Sequence, residues 1–449
     1  MTTMTSLSTQ SYKGTRDWYP EDKRVQNYIF ETWAATCRRF GYEEYATPLL
    51  EPIEVYAAKT GQEIVGEQTY RFTDRGDREV AIRPEMTPSV SRMVAARRQE
   101  MAYPARLFSI AQFMRYERPQ RGREREFWQL NADIFGAENT HADAEIIELG
   151  VEIMKQLGAT SDMYTIKIND RRVINAIMHE YLSLDAVQSE LMVKLLDRRA
   201  KISAEQFRDQ AIEIFGVDVA PAGLKKVSDL LMAKSIDDLP KIITDHESFA
   251  NVREVISTLD TNGIKNLKFD ATLMRGFDYY TGTVFEFFDH DPENNRSMFG
   301  GGRYDGLVGL FGTEPLSAVG IAPGLTTTEL FLRSHSLLPE FLQTSTSEVY
   351  VDVLGSAVEG ATKLAAKLRE EGVNTELDFT GRKLDKQIKT AVKKHIPFMI
   401  FVGEEELAKE QYNFKDVAKA EEQSLSFERI VATIKDQRRH SDDDFDSIA

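Results

Sequence analysis

ARLFSIAQFMRYERPQRGREREFWQLNADIFG, residues 105–136, is the stretch from which the fold can be read. Two runs rich in β-branched and aromatic residues flank Arg115–Arg125, which holds five arginines in eleven residues. Apolar runs of this kind predict strands, and the charged segment joining them predicts a long hairpin loop. In the second run, Gln129, Asn131 and Asp133 fall on one face, with Trp128 and Leu130 on the other, at the strand period of two. A polar row opposite an apolar row predicts an antiparallel sheet with one side packed on a core. That polar row is either a substrate floor or a solvent face.

Outward from this hairpin, TYRFTD and EVAIRPE upstream read as further strands broken by charged loops. Before them, Val25, Ile29, Trp33, Cys37 and Phe40 recur at three-to-four spacing, which predicts a helix opened by Pro20 and stopped by Gly41. Cys37 sits in that apolar stripe and reads as a buried structural thiol. Downstream, 141–157 reads as a helix closed by Gly158, and a charged, mostly helical stretch from about 170 to 262 reads as an insertion. Strand character returns at 272–288, before FGGGRYDG. After a linker at 336–346, strands at 349–353, 375–379 and 398–402 alternate with helical segments, which predicts a parallel sheet covered by helices. The last residues, 441–449, read as a disordered acidic tail.

A chain of 449 residues suits two or three domains. It has no apolar run long enough to span a membrane and no apolar signal core at its start, so the cytoplasm is the expected compartment. A single cysteine excludes a disulfide framework and a multi-cysteine zinc site. The formal charge of −16 argues against nucleic-acid binding. Phosphate contacts are local, however, and Arg115–Arg125 and the cluster Lys383, Lys386, Lys389, Lys393 and Lys394 are both basic.

Four segments could carry chemistry. RPEMTP, 83–88, places an arginine, a carboxylate and a hydroxyl after a strand; Glu85 could hold an ammonium and Thr87 could add a hydrogen bond, or these are surface charges. The arginine hairpin suits bidentate phosphate recognition, although its interleaved Glu117, Glu124 and Glu126 equally suit a solvated loop. LMRGFDYYTGTVFEFF, 273–288, sets Arg275 and a glycine beside Asp278, Tyr279 and Tyr280. Gly300–Gly302, followed by Arg303, Tyr304 and Asp305, lets backbone approach a ligand closely but fits neither a Walker loop nor a dinucleotide fingerprint.

In this order, KGTRDWYP, GYEEYATPLLEP, RPEMTP, RYERPQRGRER…FWQL, RGFDYYTGTVFE and GGGRYDGL resemble the class II aminoacyl-tRNA synthetases, and specifically the histidine enzymes. The resemblance covers nearly the whole chain, and RGFDYYTGTVFE is its most specific segment. It implies an α+β catalytic domain over 1–335, an antiparallel sheet flanked by helices, interrupted by the mostly helical insertion at 170–262. It implies a C-terminal α/β anticodon-binding domain over 347–440 and a homodimer. The implied reaction joins L-histidine to tRNA(His) through histidyl-adenylate, with ATP and Mg2+. By the same resemblance, Arg115 and Arg275 are catalytic, and Arg115, Glu117, Arg123 and Arg275 bind ATP. Glu85, Met86, Thr87, Gln129, Asp133, Tyr279, Tyr280 and Tyr304 bind histidine, while Arg118 and Gln120 face the tRNA.

Two departures stand out. Asp133 occupies the place where the family usually has a glutamate reading the imidazole. Gly324-Leu325-Thr326-Thr327 stands where the family usually has Gly-Leu-Glu-Arg, so the arginine that usually holds the γ-phosphate is absent. The competing reading is a non-catalytic paralogue that regulates histidine biosynthesis. The C-terminal domain and the charges at Glu85, Arg115 and Arg275 argue against it.

Overall fold

A computed structural model of the protein describes residues 7–57, 64–199, 202–233, 236–273, 279–294 and 296–448. The chain forms two compact units. One comprises residues up to 18 and 26–337, the other 19–25 and 338–449.

The first unit is built on an eight-stranded sheet. Its order is Glu43–Glu44, Ala105–Met114, Glu126–Phe135, Ala318–Ile321, Ser297–Arg303, Thr283–Asp289, Tyr164–Asp170 and Leu267–Phe269. The expected hairpin pairs in unbroken register from Ala105 opposite Phe135 to Met114 opposite Glu126. The arginine segment closes it, with Arg115 N donating to Arg125 O at 2.8 Å and a tight turn joining Gln120 to Arg123.

The sheet is antiparallel through its centre, as expected, but each edge pair is parallel. Parallel neighbours need a long crossover. The insertion provides the one between Tyr164–Asp170 and Leu267–Phe269, with helices such as Ala186–Arg198, Ala204–Phe215, Ala220–Met232 and Phe249–Thr261. Asp185 with Gln188 and Ser203 with Gln206 form capping boxes that start two of these helices. Their apolar faces meet in a core that contains Met192, Phe207, Val227 and Phe249, and that reaches the sheet at Val284.

Helix Pro20–Arg39 buries Val25, Ile29, Trp33 and Cys37, and Gly41 ends it at φ +78°. Burial pushes the Cys37 thiol up to about 12, so it is inert at neutral pH. Helix Thr140–Gln156 lies against the sheet. A Cβ at its Gly150 would come 2.8 Å from the Phe287 ring, so only glycine allows this approach.

The second unit holds a five-stranded sheet ordered Thr375–Leu377, Val349–Val353, Phe398–Val402, Tyr412–Asp416 and Glu421–Leu425. The first three strands are parallel, as the alternation predicts. The last two form an antiparallel hairpin that the sequence reading lacks. Four of the five residues of Glu421–Leu425 are exposed, so no apolar pattern marks the strand. The expected disordered tail is also corrected: helix Phe427–Ile448 runs through 441–448. Extending a helix adds one hydrogen bond per residue without a new nucleation cost, so a weak sequence can continue a strong start.

Candidate active site

A cavity of about 540 Å³ opens on the face of the large sheet that carries the polar row, and Gln129, Asn131 and Asp133 all line it. The row is therefore a floor rather than a solvent face. Glu85 and Thr87 line it from the start of helix Thr87–Ala96. Arg83, just before them, is committed to structure: its guanidinium donates to Gln112 O and Thr47 O, both at 2.9 Å, which ties the segment to the sheet.

At one place in the cavity the Tyr279 hydroxyl donates to Glu85 Oε2 at 2.9 Å and lies 3.3 Å from Thr87 Oγ1. A carboxylate and a hydroxyl held together in this way suit an ammonium group. At another, the Tyr304 hydroxyl donates to Asp133 Oδ1 at 2.5 Å. Burial raises the Asp133 carboxyl to about 7, against the lowering effect of the Tyr304 bond. Tyr279 packs edge-on against both Tyr280 and Tyr304, with ring centres 5.1 and 5.7 Å away. Burial pushes all three phenols up, so they are neutral hydrogen-bonding groups at any physiological pH.

The hairpin loop lines the other part of the cavity with Arg115, Glu117 and Arg123. Arg115 Nε donates to Pro84 O at 2.8 Å, and the guanidinium lies over the Phe127 ring at 5.3 Å. Arg123 pairs with Glu117 at 2.7 Å. Opposite the loop, Gly324 starts helix Leu325–Ser334, and Thr326 and Thr327 face the cavity. Thr326 Oγ1 donates to Glu124 at 2.9 Å, and Thr327 Oγ1 donates to Met298 O at 2.7 Å. Arg333 pairs with Glu329 at 2.8 Å, which leaves position 327 without a substitute cation from its own helix.

Some expected residues lie elsewhere. Met86 has no exposed surface, accepts a contact from Thr47 Oγ1 through its sulfur at 3.3 Å, and packs in the apolar cluster behind the cavity. It supports the site rather than lining it, because position 86 points into the core when 85 and 87 face out. Arg118 and Gln120 are exposed on the hairpin loop, and Gln120 accepts from Arg296 at 3.0 Å. Arg275 and Asp278 fall outside the described residues. Sequence reasoning missed Phe299, Glu286 and Gly320, which also line the cavity. A glycine inside the strand-like AVGI was the available signal, since it marks a close approach.

A family model described as histidyl-tRNA synthetase matches residues 14–327, and one described as anticodon binding domain matches 348–437. The chain belongs to the histidyl-tRNA synthetase family. The histidine–tRNA ligase of Leptospira biflexa is 39% identical over 435 residues, 96% of this chain and 98% of that protein. The histidine–tRNA ligase of Haloarcula marismortui is 34% identical, over 92% of this chain and 95% of its own length. The crystal structure of histidyl-tRNA synthetase from Nostoc sp. PCC 7120 superposes with a TM-score of 0.79 at 23% identity, covering 96% of this chain and all of that one. That likeness fixes the class II fold. Membership of the histidyl-tRNA synthetase family accounts for the order of RPEMTP, the arginine hairpin and GGGRYDG around one cavity.

Proposed function

We propose that the protein joins L-histidine to tRNA(His) in two steps. A carboxylate oxygen of histidine attacks the α-phosphorus of ATP, and the bond to pyrophosphate breaks, giving histidyl-adenylate. The terminal adenosine hydroxyl of the tRNA then attacks the activated carbonyl, and AMP leaves. The observation that carries this reading is one cavity lined both by the Glu85–Thr87–Tyr279 and Asp133–Tyr304 groups and by Arg115 and Arg123.

Glu85 and Thr87 take the ammonium, Asp133 faces the imidazole, and Gln129 and Tyr280 complete the pocket. Gln129 is braced by its bond to Ala322 O at 3.1 Å. Arg115 meets the α-phosphate, with its guanidinium aimed by Pro84 O. Arg275 is assigned to charge stabilisation at the same phosphate. Such catalysis is positioning plus preorganised charge, with no protein nucleophile. Among the described residues, no group of three or more His, Cys, Asp or Glu gathers to hold a metal. In this proposal Mg2+ is held largely by ATP oxygens.

Arg118 and Gln120 face the acceptor end, and the second unit takes the anticodon. A homodimer in the cytoplasm completes the proposal. The exposed Leu50 and Phe72 on the small sheet of Leu50–Pro52, Arg71–Thr73 and Glu79–Ile82, with the exposed Leu49 just before it, support an interface there, and no helix among the described residues is long and apolar enough to cross a membrane. ATP–pyrophosphate exchange across the twenty amino acids tests the activity. Exchange should require histidine, since a site that pairs a substrate N–H rejects ligands lacking it by about 10⁴-fold. Comparable exchange with another amino acid would sink the assignment.

A further inference from the structure

Across the centre of the large sheet, Asp133 lies directly opposite Gly320, and Gly320 directly opposite Gly302. Directly opposed residues share a face, so the row beside Asp133 is bare for two strands. The space is already used. A Cβ at Gly320 would stand 1.9 Å from Asp133 Oδ1, and one at Gly302 would stand 2.9 Å from the Tyr280 ring. The Asp133 side chain thus lies across Gly320. Tyr304 then fixes its rotation, because its hydroxyl donates to the same Oδ1 at 2.5 Å. The other oxygen, Oδ2, is buried and has no hydrogen-bond partner among the described residues. An unpaired buried acceptor is costly, and this one belongs to a side chain that lines the cavity.

We infer that Gly320 and Tyr304 are positioning residues that determine ring specificity through Asp133. Gly320 leaves the room in which the short carboxylate lies flat, Tyr304 engages Oδ1, and Oδ2 is thereby reserved for a ring N–H donor of the substrate. This rests on the proposed histidine activity and explains how a side chain one methylene shorter than glutamate can serve there. The lost reach is recovered by orientation. Neither residue touches the reacting atoms.

The test uses the full-length protein, with histidine as substrate and β-(2-thienyl)alanine, a five-membered ring with no N–H, as competitor. In wild-type protein, histidine-dependent exchange establishes the underlying activity; its absence removes that activity and the cradle with it. Given that activity, Tyr304→Phe should raise the histidine KM about tenfold or more, the value of a hydrogen bond to a charged group. The inhibition constant of thienylalanine should stay level. If both ligands weaken equally, Tyr304 is only structural and the inference falls while the activity stands.

Gly320→Ala is made in the wild-type and in the Asp133→Ala backgrounds. A loss in the first that vanishes in the second supports the cradle, as does a protein that folds only in the second. Equal losses in both, or failure to fold in both, overturn the role of Gly320.

Discussion

Arg303 follows three glycines and precedes Tyr304, where a cation invites a catalytic reading. Its side chain is instead buried and fully committed. It forms a 2.6 Å ion pair with Asp143 and donates to Ala137 O and Asn139 O at 2.9 and 3.0 Å. Breaking such a pair leaves an uncompensated buried charge, so Arg303 fixes the end of its strand to the helix Thr140–Gln156. Asp352 is the opposite case. It lies in the middle of the second unit's sheet with no exposed surface, and neither carboxyl oxygen has a hydrogen-bond partner among the described residues. Burial, and then the charge of Asp378, raise its carboxyl to about 7. In the unfolded chain it ionises near 3.9. Between about 4 and 7 the folded form therefore binds more protons, and its contribution to stability falls as pH rises through that window. Asp352→Asn removes this dependence. Thermal unfolding should show the variant gaining on wild type between pH 5 and pH 8, by about 2–8 °C for each kcal/mol recovered. A gap that stays constant with pH would mean that Asp352 is ionised in the folded protein.

The two elements that face each other across the part of the cavity proposed to hold the nucleotide are the arginine hairpin and the helix Leu325–Ser334. Their contact is close: a Cβ at Gly122, near the hairpin tip, would lie 3.7 Å from the Thr327 methyl. The tip is also tied back, with Arg121 NH2 3.2 Å from Asn294 Oδ1 and 3.4 Å from Glu293. Thr327→Arg would place a cation between these elements, where the triphosphate is proposed to lie. A bond to a charged group is worth about 1.5–3 kcal/mol, so the ATP KM should fall by roughly tenfold or more while exchange persists. A higher KM would show that the new side chain displaces the hairpin instead of reaching the nucleotide.

Elements with a strong period were legible in the sequence. The hairpin strands, the helix opened by Pro20 and the strand Phe398–Val402 all carry apolar patterns that match their burial. So was the polar row Gln129, Asn131 and Asp133, because side-chain direction in a strand follows from spacing alone. What could not be read depends on partners distant in sequence. That Arg83 and Arg303 are structural, and that Asp133 needs Gly320, follows only from which strands become neighbours. The hairpin Tyr412–Leu425 escaped for a different reason: its outer strand faces water and has no apolar side to announce it.

At the scale of the molecule, the division into two units sets what each can do alone. The described residues that line the cavity, from Glu85 to Thr327, all belong to the first unit. The second unit has its own core, with Val351, Leu364, Ile400 and Phe414 buried between its sheet and its helices. The family match is likewise split, with a catalytic segment ending at 327 and an anticodon-binding segment starting at 348. Separate cores imply separable folding. A chain cut after Leu337 should therefore retain histidine-dependent pyrophosphate exchange, because every described cavity residue remains. The cut does remove partners of the start of helix Pro20–Arg39: Arg24 donates to Leu342 O at 2.8 Å, and Tyr19–Val25 belongs to the second unit. That first turn should fray, while Ile29, Trp33 and Cys37 keep the rest of the helix on the first unit's core. The tRNA charging step should be impaired far more than exchange, since the proposed anticodon contacts are gone and the remaining phosphate contacts are those of the hairpin alone. Exchange and charging rates measured side by side on the cut and whole chains decide it. Equal charging by both would assign the second unit some other task, and loss of exchange in a folded fragment would show that the cavity depends on the second unit after all.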